Sequence, residues 1–285
     1  MTDAQIDPAV TRNKERDLIN ALTRMGSVIV AYSGGVDSSL LSFYARKVLG
    51  SKARIVIAIS PSLAREELEA ARKQADQFHW QLIEVRTAEV ELPEYRRNDA
   101  MRCYHCKKTL FTELDDLART QNIQHIAYGA NVDDLQDFRP GHKAAREHKV
   151  LSPLQDAGLT KDEIRFLARQ AGLPSWDRPQ AACLSSRFPT LQPITSELLS
   201  RVERAERCLH SLGFRQVRVR HENDTARIEL DQLELPRLSS DPQLMAAVTA
   251  QLQEIGYRQV LLDMQGYRAG SGNRFGKMGR TEGGS

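Results

Sequence analysis

A glycine- and serine-rich stretch near the start of the chain has the composition of a phosphate-binding loop. Its residues are Ser33-Gly34-Gly35-Val36-Asp37-Ser38-Ser39. An apolar, β-branched run precedes it and an apolar periodicity resumes at Leu40, which predicts a strand, a tight turn and the start of a helix. Glycines let the backbone approach a ligand closely, and the free N–H groups of a first helical turn attract anions. No Gly-Lys-Ser/Thr follows, so the predicted phosphate site is not of the Walker type.

Cysteines form the second group of residues that could take part in chemistry. Cys103-Tyr104-His105-Cys106 is a C-x-x-C motif, Cys183 stands alone, and Cys208 falls inside a predicted amphipathic helix as an inert core residue. By itself the motif is compatible with half a zinc site, a redox pair or an iron–sulfur ligand pair. Three thiolates would hold a [4Fe–4S] cluster with one iron open to a small ligand such as sulfide. The alternative is that all three cysteines are structural.

Strands and helices alternate around the phosphate loop. After a helix over residues 14–25, we predict strands at 28–32, 54–59, 81–85 and 124–128, with helices between them, one starting at Ser60-Pro61-Ser62 and another spanning 107–120. This alternation predicts an α/β fold with a doubly wound parallel sheet, whose ligands bind at the carboxyl ends of the strands. The acidic loop from Gly129 to Gly141 leaves one of these ends and could bind magnesium, ribose or phosphate. Thr160-Lys161-Asp162-Glu163 is predicted to be a structural capping box.

The second half of the chain predicts a smaller α+β unit. We expect helices at 194–212 and 242–255, and strands at 214–220, 225–230 and 258–264. A proline-rich loop places the domain boundary near Pro189. This gives a nucleotide-binding domain over residues 1–188, a small α+β domain for substrate binding and oligomerisation over 189–269, and a disordered tail over 270–285.

Composition excludes several classes of protein. Of 285 residues, 41% are hydrophobic and 27% charged, and 40 Lys and Arg against 37 Asp and Glu leave a formal charge of only +3. The sequence shows no signal peptide and no apolar run of membrane-spanning length. Four cysteines are few for a disulfide framework and suit a reducing compartment. We therefore predict a soluble cytoplasmic protein without membrane or nucleic-acid partners.

These motifs resemble known enzymes. The stretch Ser33–Ser39 resembles the loop of the ATP pyrophosphatases, which cleave ATP between its α- and β-phosphates. Further motifs resemble the ATP-dependent sacrificial sulfur transferase LarE family: Arg102-Cys103-Tyr104-His105-Cys106-Lys107-Lys108, the loop 133–141, Trp176-Asp177-Arg178-Pro179 and Ala182-Cys183-Leu184-Ser185-Ser186-Arg187. The resemblance runs from about Val28 to Arg268. One departure is that Thr190-Leu191 stands where the family has an aromatic residue and a glycine.

The resemblance implies a reaction. A carboxylate of pyridinium-3,5-biscarboxylate mononucleotide, a precursor of the nickel-pincer cofactor of lactate racemase, attacks the α-phosphate of ATP and releases pyrophosphate. The acyl-adenylate then accepts sulfur and loses AMP. In one branch of the family the cysteine matching Cys183 gives up its own sulfur, and in another a [4Fe–4S] cluster on three cysteines delivers sulfide. Because this chain has the C-x-x-C motif, the resemblance favours a cluster on Cys103, Cys106 and Cys183.

The resemblance also implies site residues. Cys183 would be catalytic, and Asp37 and Asp133 would hold Mg²⁺. The substrate phosphate would bind Arg218, Arg220 and Arg268, of which the first two alternate with valines on one strand. ATP would be bound by Ala31, Ser33, Gly34, Gly35, Asp37, Ser38, Ser39, Ser60 and Gly129. Family members assemble as trimers paired into hexamers, so a homo-oligomer that binds a small-molecule nucleotide is expected.

Three alternatives belong to other functional classes. A tRNA thiolase with a three-cysteine cluster would need a broad basic surface. An ammonia-dependent adenylating synthetase would keep its activity without Cys183. A non-catalytic nucleotide sensor would release no pyrophosphate with any substrate.

Overall fold

A computed structural model describes residues 6–136, 140–178 and 182–268. They divide into two compact units. The first contains residues 6–89 and 103–178, and the second contains residues 90–102 and 182–268. The second unit is thus built from two separate segments of the chain. The domain boundary near Pro189 stays a prediction, and the predicted disordered tail lies outside the described residues.

The first unit is built on a parallel sheet. Strand β1 lies in its interior, between β2 and β4, and the strand order is β3-β2-β1-β4. The strands are β1 (Val28–Tyr32), β2 (Ala53–Ile59), β3 (Leu82–Arg86) and β4 (His125–Tyr128). Helices connect them, as a parallel sheet requires. The predicted α/β fold with a doubly wound parallel sheet is confirmed.

Eight α-helices lie among the described residues before residue 178. They are α1 (Pro8–Met25), α2 (Val36–Leu49), α3 (Arg65–Gln77), α4 (Pro93–Arg96), α5 (Arg102–Thr120), α6 (Pro140–Glu147), α7 (Pro153–Asp156) and α8 (Lys161–Gln170). Helix α4 and Arg102 belong to the second unit. The capping box of α8 is confirmed, because Thr160 and Glu163 each accept a hydrogen bond from the other's backbone N–H. No helix of the described residues combines the length and apolarity needed to cross a membrane.

The two faces of the parallel sheet carry separate apolar layers. On β1, Val28 and Val30 pack with α1, α2 and α8, whereas Ile29 and Ala31 pack with Phe111 and Leu114 of α5 on the other face. All five residues of β1 are buried. Burial on both faces explains why the strand reads as a continuous apolar run. It also fixes the loop that follows β1 firmly to the sheet.

The second unit contains a mixed three-stranded sheet of order β5-β6-β7. Strands β5 and β6 are antiparallel, and β6 and β7 are parallel. Its elements after residue 182 are β5 (Val217–Glu222), β6 (Thr225–Leu230), β7 (Gln259–Leu262), α9 (Ser196–Ser211), α10 (Leu235–Ser239) and α11 (Pro242–Ile255). Helices α9 and α11 cover one face through a core that includes Leu209, Val219, Ile228 and Leu252. Cys208 packs at the margin of this core and is only partly buried.

Three predicted helix starts are wrong. Helix α1 begins at Pro8 rather than at residue 14, because the side chain of Asp7 caps it by accepting hydrogen bonds from the N–H groups of Ala9 and Val10. Helix α5 begins at Arg102 rather than at residue 107. In the turn just before it, the carboxylate of Asp99 accepts a hydrogen bond from the N–H of Met101 at 2.8 Å. Helix α3 begins at Arg65 rather than near Ser60. The hydroxyl groups of Ser60 and Ser62 bind each other at 2.8 Å and so do not cap a helix.

Candidate active site

The loop between β1 and α2 is held in shape by serine hydroxyl groups. Ser38 donates from its hydroxyl to the carbonyl oxygen of Gly35 at 3.0 Å and accepts from the N–H of Ser33 at 3.1 Å. Gly34 has φ +78°, which favours glycine because it has no Cβ. With the loop closed in this way, the first N–H groups of α2, which have no acceptor within the helix, are left for an anion.

A carboxylate and an ammonium group meet at the start of α2. Lys161 Nζ donates to Asp37 Oδ2 in a close ion pair, and Asn131 Nδ2 lies 3.4 Å from Asp37 Oδ1. The backbone N–H of Lys161 also donates to Asp133 Oδ2 at 2.7 Å. The structure thus brings both predicted magnesium ligands, Asp37 and Asp133, to the same lysine. Carboxylate oxygens suit Mg²⁺, so these residues fit the ion.

Lys161, which contacts both carboxylates, was not among the predicted site residues because its sequence context is explained by a capping box. A signal was nevertheless present. The first turn of a helix carries a partial positive charge, so a lysine at the first helical position is disfavoured unless a negative group offsets it. Here Asp37 provides that group from a position 124 residues away in the sequence.

Gly129 lies against the start of α2. A Cβ atom on this residue would be 2.6 Å from the backbone nitrogen of Ser38 and 2.9 Å from the carbonyl carbon of Asp37. These distances are far shorter than a van der Waals contact. The end of β4 therefore needs a glycine here, and Gly129 brings the segment with Asn131 and Asp133 close to Asp37.

The other residues predicted to bind ATP occupy different environments. Ser33 is exposed at the loop, whereas Ala31 is buried in β1. Ser39 is fully buried and its hydroxyl group donates to the carbonyl oxygen of Gly35 at 2.9 Å. Ser60 is half-buried and follows β2. Of the acidic loop, residues 137–139 lie outside the description, and their predicted role stays a prediction.

The C-x-x-C motif lies on α5. Cys103 and Cys106 are in the first turns of this helix, three residues apart, so their side chains project from neighbouring positions of one helical face. Cys103 is exposed and Cys106 is partly buried. Two cysteines in this relation fit a pair of ligands for one metal centre. Cys183 belongs to the second unit, and the described residues hold no group of three or more His, Cys, Asp or Glu side chains placed for a metal ion.

Cys183 is anchored by a buried ion pair. The NH1 group of Arg187 donates to the carbonyl oxygens of Ala182 and Cys183 at 2.6 and 3.0 Å, while its Nε and NH2 groups bind Glu206 at 2.9 Å each. Burial works against the charged guanidinium, but the charge and hydrogen bonds of Glu206, with weaker contributions from Cys183 and Tyr267, together outweigh it and raise the pKa of Arg187 above its usual value. The backbone of Cys183 is therefore fixed while its side chain is exposed.

Two of the predicted phosphate-binding arginines, Arg218 and Arg220, lie on β5, and Arg268 follows β7. Arg220 is buried and paired with Glu229 at 2.8 Å, and it also donates to the carbonyl oxygen of Ser186 at 2.8 Å. Arg268 lies 3.8 Å from Asp263. Arg218 stacks on the ring of Tyr267 at 5.5 Å and donates to the carbonyl oxygen of Val217. Burial, reinforced by the charge of Arg187, lowers the pKa of Arg218.

Comparison of the sequence with known proteins identifies a family model and a relative of similar length. A family model described as asparagine synthase matches residues 21–116, which include the phosphate loop. The pyridinium-3,5-bisthiocarboxylic acid mononucleotide synthase of Lactiplantibacillus plantarum is 34% identical over 266 residues, which are 93% of this chain and 95% of that protein. The chain belongs to the LarE family. As a LarE-family protein it is an ATP-dependent enzyme that transfers sulfur.

Two further relatives differ in how much of this chain they match. An uncharacterised protein of Synechocystis, slr1717, is 42% identical over 262 residues, covering 92% of this chain and 97% of that protein. The glutamine-hydrolysing GMP synthase of Bacillus mycoides is 25% identical over 177 residues, covering 53% of this chain and 33% of that protein. LarE-family similarity thus extends over nearly the whole chain, whereas similarity to GMP synthase covers about half of it.

Proposed function

We propose that this enzyme converts a carboxylate of pyridinium-3,5-biscarboxylate mononucleotide to a thiocarboxylate for nickel-pincer nucleotide synthesis. A carboxylate oxygen attacks the α-phosphorus of ATP, and the bond to the bridging oxygen of pyrophosphate breaks. A sulfur nucleophile then attacks the acyl carbon, and AMP leaves. The observation that carries this proposal is the similarity to the Lactiplantibacillus plantarum synthase across both units.

The phosphate loop supports the adenylation step. Its closed shape leaves the opening N–H groups of α2 for the phosphates of ATP, and we propose ATP contacts at Ala31, Ser33, Gly34, Gly35, Ser38, Ser39, Ser60 and Gly129. Asp37 and Asp133 would hold Mg²⁺, which offsets the charge of the triphosphate. The ammonium group of Lys161 would then be free to turn from Asp37 towards a phosphate oxygen.

Charge supports a substrate-phosphate role for the arginines of the second unit. Arg220 pairs with Glu229 and Arg268 with Asp263, whereas Arg218 has no carboxylate within ion-pair distance among residues 6–136, 140–178 and 182–268. Arg218 is only partly exposed, and a guanidinium that loses solvent without gaining a counter-ion is costly, a cost that a phosphate would offset. Arg218 is therefore proposed as the main contact, with Arg220 and Arg268 beside it.

Two sources of sulfur are compatible with the cysteines. In the first, Cys103, Cys106 and Cys183 hold a [4Fe–4S] cluster, whose open iron would supply bound sulfide. In the second, Cys183 gives up its own sulfur and becomes dehydroalanine, so that each chain turns over once. We favour the first because Cys103 and Cys106 lie within one turn of α5 in positions that suit a shared metal centre.

The reaction is tested with protein purified without oxygen. It is mixed with ATP, Mg²⁺, sulfide and the biscarboxylate substrate, and product masses, AMP and pyrophosphate are followed. Thiocarboxylate formed in step with AMP and pyrophosphate supports the proposal. Amide product with ammonia, unchanged in Cys183→Ala, would instead identify an amide-forming synthetase.

The sulfur source needs a separate measurement. Iron and acid-labile sulfide at about four each per chain, lost in Cys183→Ala and Cys103→Ala, would support the cluster. Cys208→Ala is the matched control and should keep both. No iron, with the loss of one H₂S from the intact mass after reaction, would show that Cys183 is consumed. Light scattering on the same samples tests the trimer or hexamer that the family resemblance implies.

A further inference from the structure

Glu89 is a buried carboxylate that the proposed reaction does not use. It is 1% exposed, and its Oε1 accepts a hydrogen bond from the hydroxyl group of Ser62 at 3.1 Å. Its Oε2 is closed to solvent and has no hydrogen-bond partner among the described residues. Burying a carboxylate oxygen without a donor is costly, so a native protein that keeps one needs a reason for it.

The hydrogen bonds of Glu89 fix the direction of neighbouring protons. A carboxylate oxygen can only accept hydrogen bonds, so Ser62 donates its one hydroxyl proton to Glu89. The hydroxyl groups of Ser60 and Ser62 lie 2.8 Å apart, and Ser60 must therefore be the donor of that pair. The N–H of Ser62 donates to Ser60 Oγ at 3.2 Å. Ser60 Oγ is left with one free lone pair and no proton to give.

Ser60 lies at the same edge of the sheet as the phosphate loop. Strands β1 and β2 are parallel, with Tyr32 opposite Ile57, and each strand ends within two residues of that pair. Ser60 directly follows β2, and the loop directly follows β1. A nucleotide whose phosphates occupy the loop can therefore reach Ser60, which is half-buried. The free lone pair would meet that nucleotide as an acceptor.

We propose that Glu89 selects the base of the nucleotide by holding Ser62 and Ser60 in this orientation. The acceptor on Ser60 matches the 6-amino group of adenine, which is a donor. A 6-oxo group, as in inosine or guanine, would place an acceptor against an acceptor. Glu89 is a positioning residue, because its carboxylate is closed to ligands and acts through Ser62. This inference rests on the proposed binding of ATP at Ser60.

The test compares the equilibrium binding of Mg·ATP and Mg·ITP to the full chain, without the acceptor substrate. The two nucleotides differ at the 6-position of the base, with the N1 proton that accompanies the 6-oxo form. Their affinity ratio does not depend on the fraction of folded protein, because both are measured on one preparation. Ser62→Ala and Glu89→Leu free the proton of Ser60, and each should lower the preference for ATP by about tenfold.

Glu89→Gln is the conservative control, since its amide oxygen can still accept from Ser62 and the preference should stay within about threefold of wild type. Glu91→Leu removes a neighbouring exposed carboxylate and should leave the ratio unchanged. An unchanged ratio in Ser62→Ala, or equal binding of ATP and ITP by wild type, overturns the inference while leaving ATP use intact. Failure of wild type to bind either nucleotide overturns the proposed function itself.

Discussion

The ammonium group of Lys161 pairs with the carboxylate of Asp37, although Lys161 is the first residue of its own helix. The backbone N–H of the same residue binds Asp133. One residue thus links both carboxylates proposed to hold Mg²⁺. The ion and the ammonium group compete for Asp37, so arrival of Mg·ATP would release a positive charge beside the triphosphate.

Lys161→Met should lower the rate of pyrophosphate release by tenfold or more, roughly the effect of losing one charge-assisted contact to a phosphate. Methionine keeps much of the length of the side chain and removes its charge. The measurement is the initial rate of pyrophosphate formation at saturating ATP and substrate. Wild-type kcat and KM in this variant would rule out a role for the ammonium group.

Lys14→Met is the matched control for that experiment. Lys14 of α1 forms an ion pair of 2.7 Å with Glu163, which lies on α8 as Lys161 does. Burial raises the pKa of Glu163, but hydrogen bonds from Lys14 and Thr160 outweigh it, and the net pKa is lowered. This variant should lose about 1 kcal/mol of stability and keep its activity.

Gly129→Ala should sharply reduce ATP binding. The added methyl group would lie 2.6 Å from the nitrogen of Ser38, so either β4 or the start of α2 must shift. A shift of even half an ångström misaligns the N–H groups that face the phosphates. Titration with Mg·ATP measures the loss, and circular dichroism checks that the variant is folded. Gly172→Ala is the comparison: nothing lies within 4 Å of its added Cβ, and its φ of +71° adds a backbone strain that Gly129 lacks, so this variant should lose stability yet keep its ATP binding.

Leu191→Gly should raise the free energy of unfolding by up to about 1 kcal/mol. Leu191 has φ +69° and is 71% exposed, so it carries backbone strain with little packing to compensate. Denaturant unfolding at pH 7 measures the change. Leu233→Gly is the comparison, because Leu233 is 91% exposed without a positive φ, and there the glycine should destabilise. A loss of stability in Leu191→Gly equal to that in Leu233→Gly would refute the strain.

His221 should make the protein less stable in acid. Burial, together with the charge of Arg201, lowers the pKa of His221 from 6.5 to about 4. As the pH falls from 6.5 towards 4, His221 is protonated in the unfolded chain but stays neutral in the folded protein. Protonation therefore favours the unfolded chain, and the free energy of unfolding decreases over that pH range. The decrease amounts to about 2 kcal/mol between pH 7 and pH 5. His221→Gln cannot titrate, so its stability should change less over the same range; an identical pH dependence would contradict the assignment.

The sequence predicted elements well where local signals were strong. Strand β6 and helix α11 have their predicted bounds, because Asp241 and Pro242 open α11 and Gly256 closes it. The start of α5 was missed because its first turn, from Arg102, lacks a clear apolar periodicity. The departure at Thr190-Leu191 was visible in the sequence, but its positive φ was not.

Contacts between distant residues could not be predicted from one sequence. The pair of Lys161 with Asp37 joins residues 124 positions apart, and Glu206 reaches Arg187 from a different helix. The alternation of valine and arginine on β5 predicted that Arg218 and Arg220 share a face, because side chains on a strand point to alternate faces. It could not show that Glu229 neutralises one of them, because that depends on the register of β6.

The two-segment construction of the second unit has a consequence for synthesis on the ribosome. Asn98 donates to the carbonyl oxygens of Pro189 and Gln192, and the carbonyl oxygen of Arg96 accepts from Ile194. Segment 90–102 is therefore synthesised before the segment from residue 182 that it packs with, and it cannot complete its fold until residues 103–181 and that second segment have been made. A gene fragment that starts at residue 182 would encode a unit without one of its pieces. Exchange of this unit between relatives by a single recombination point is correspondingly disfavoured.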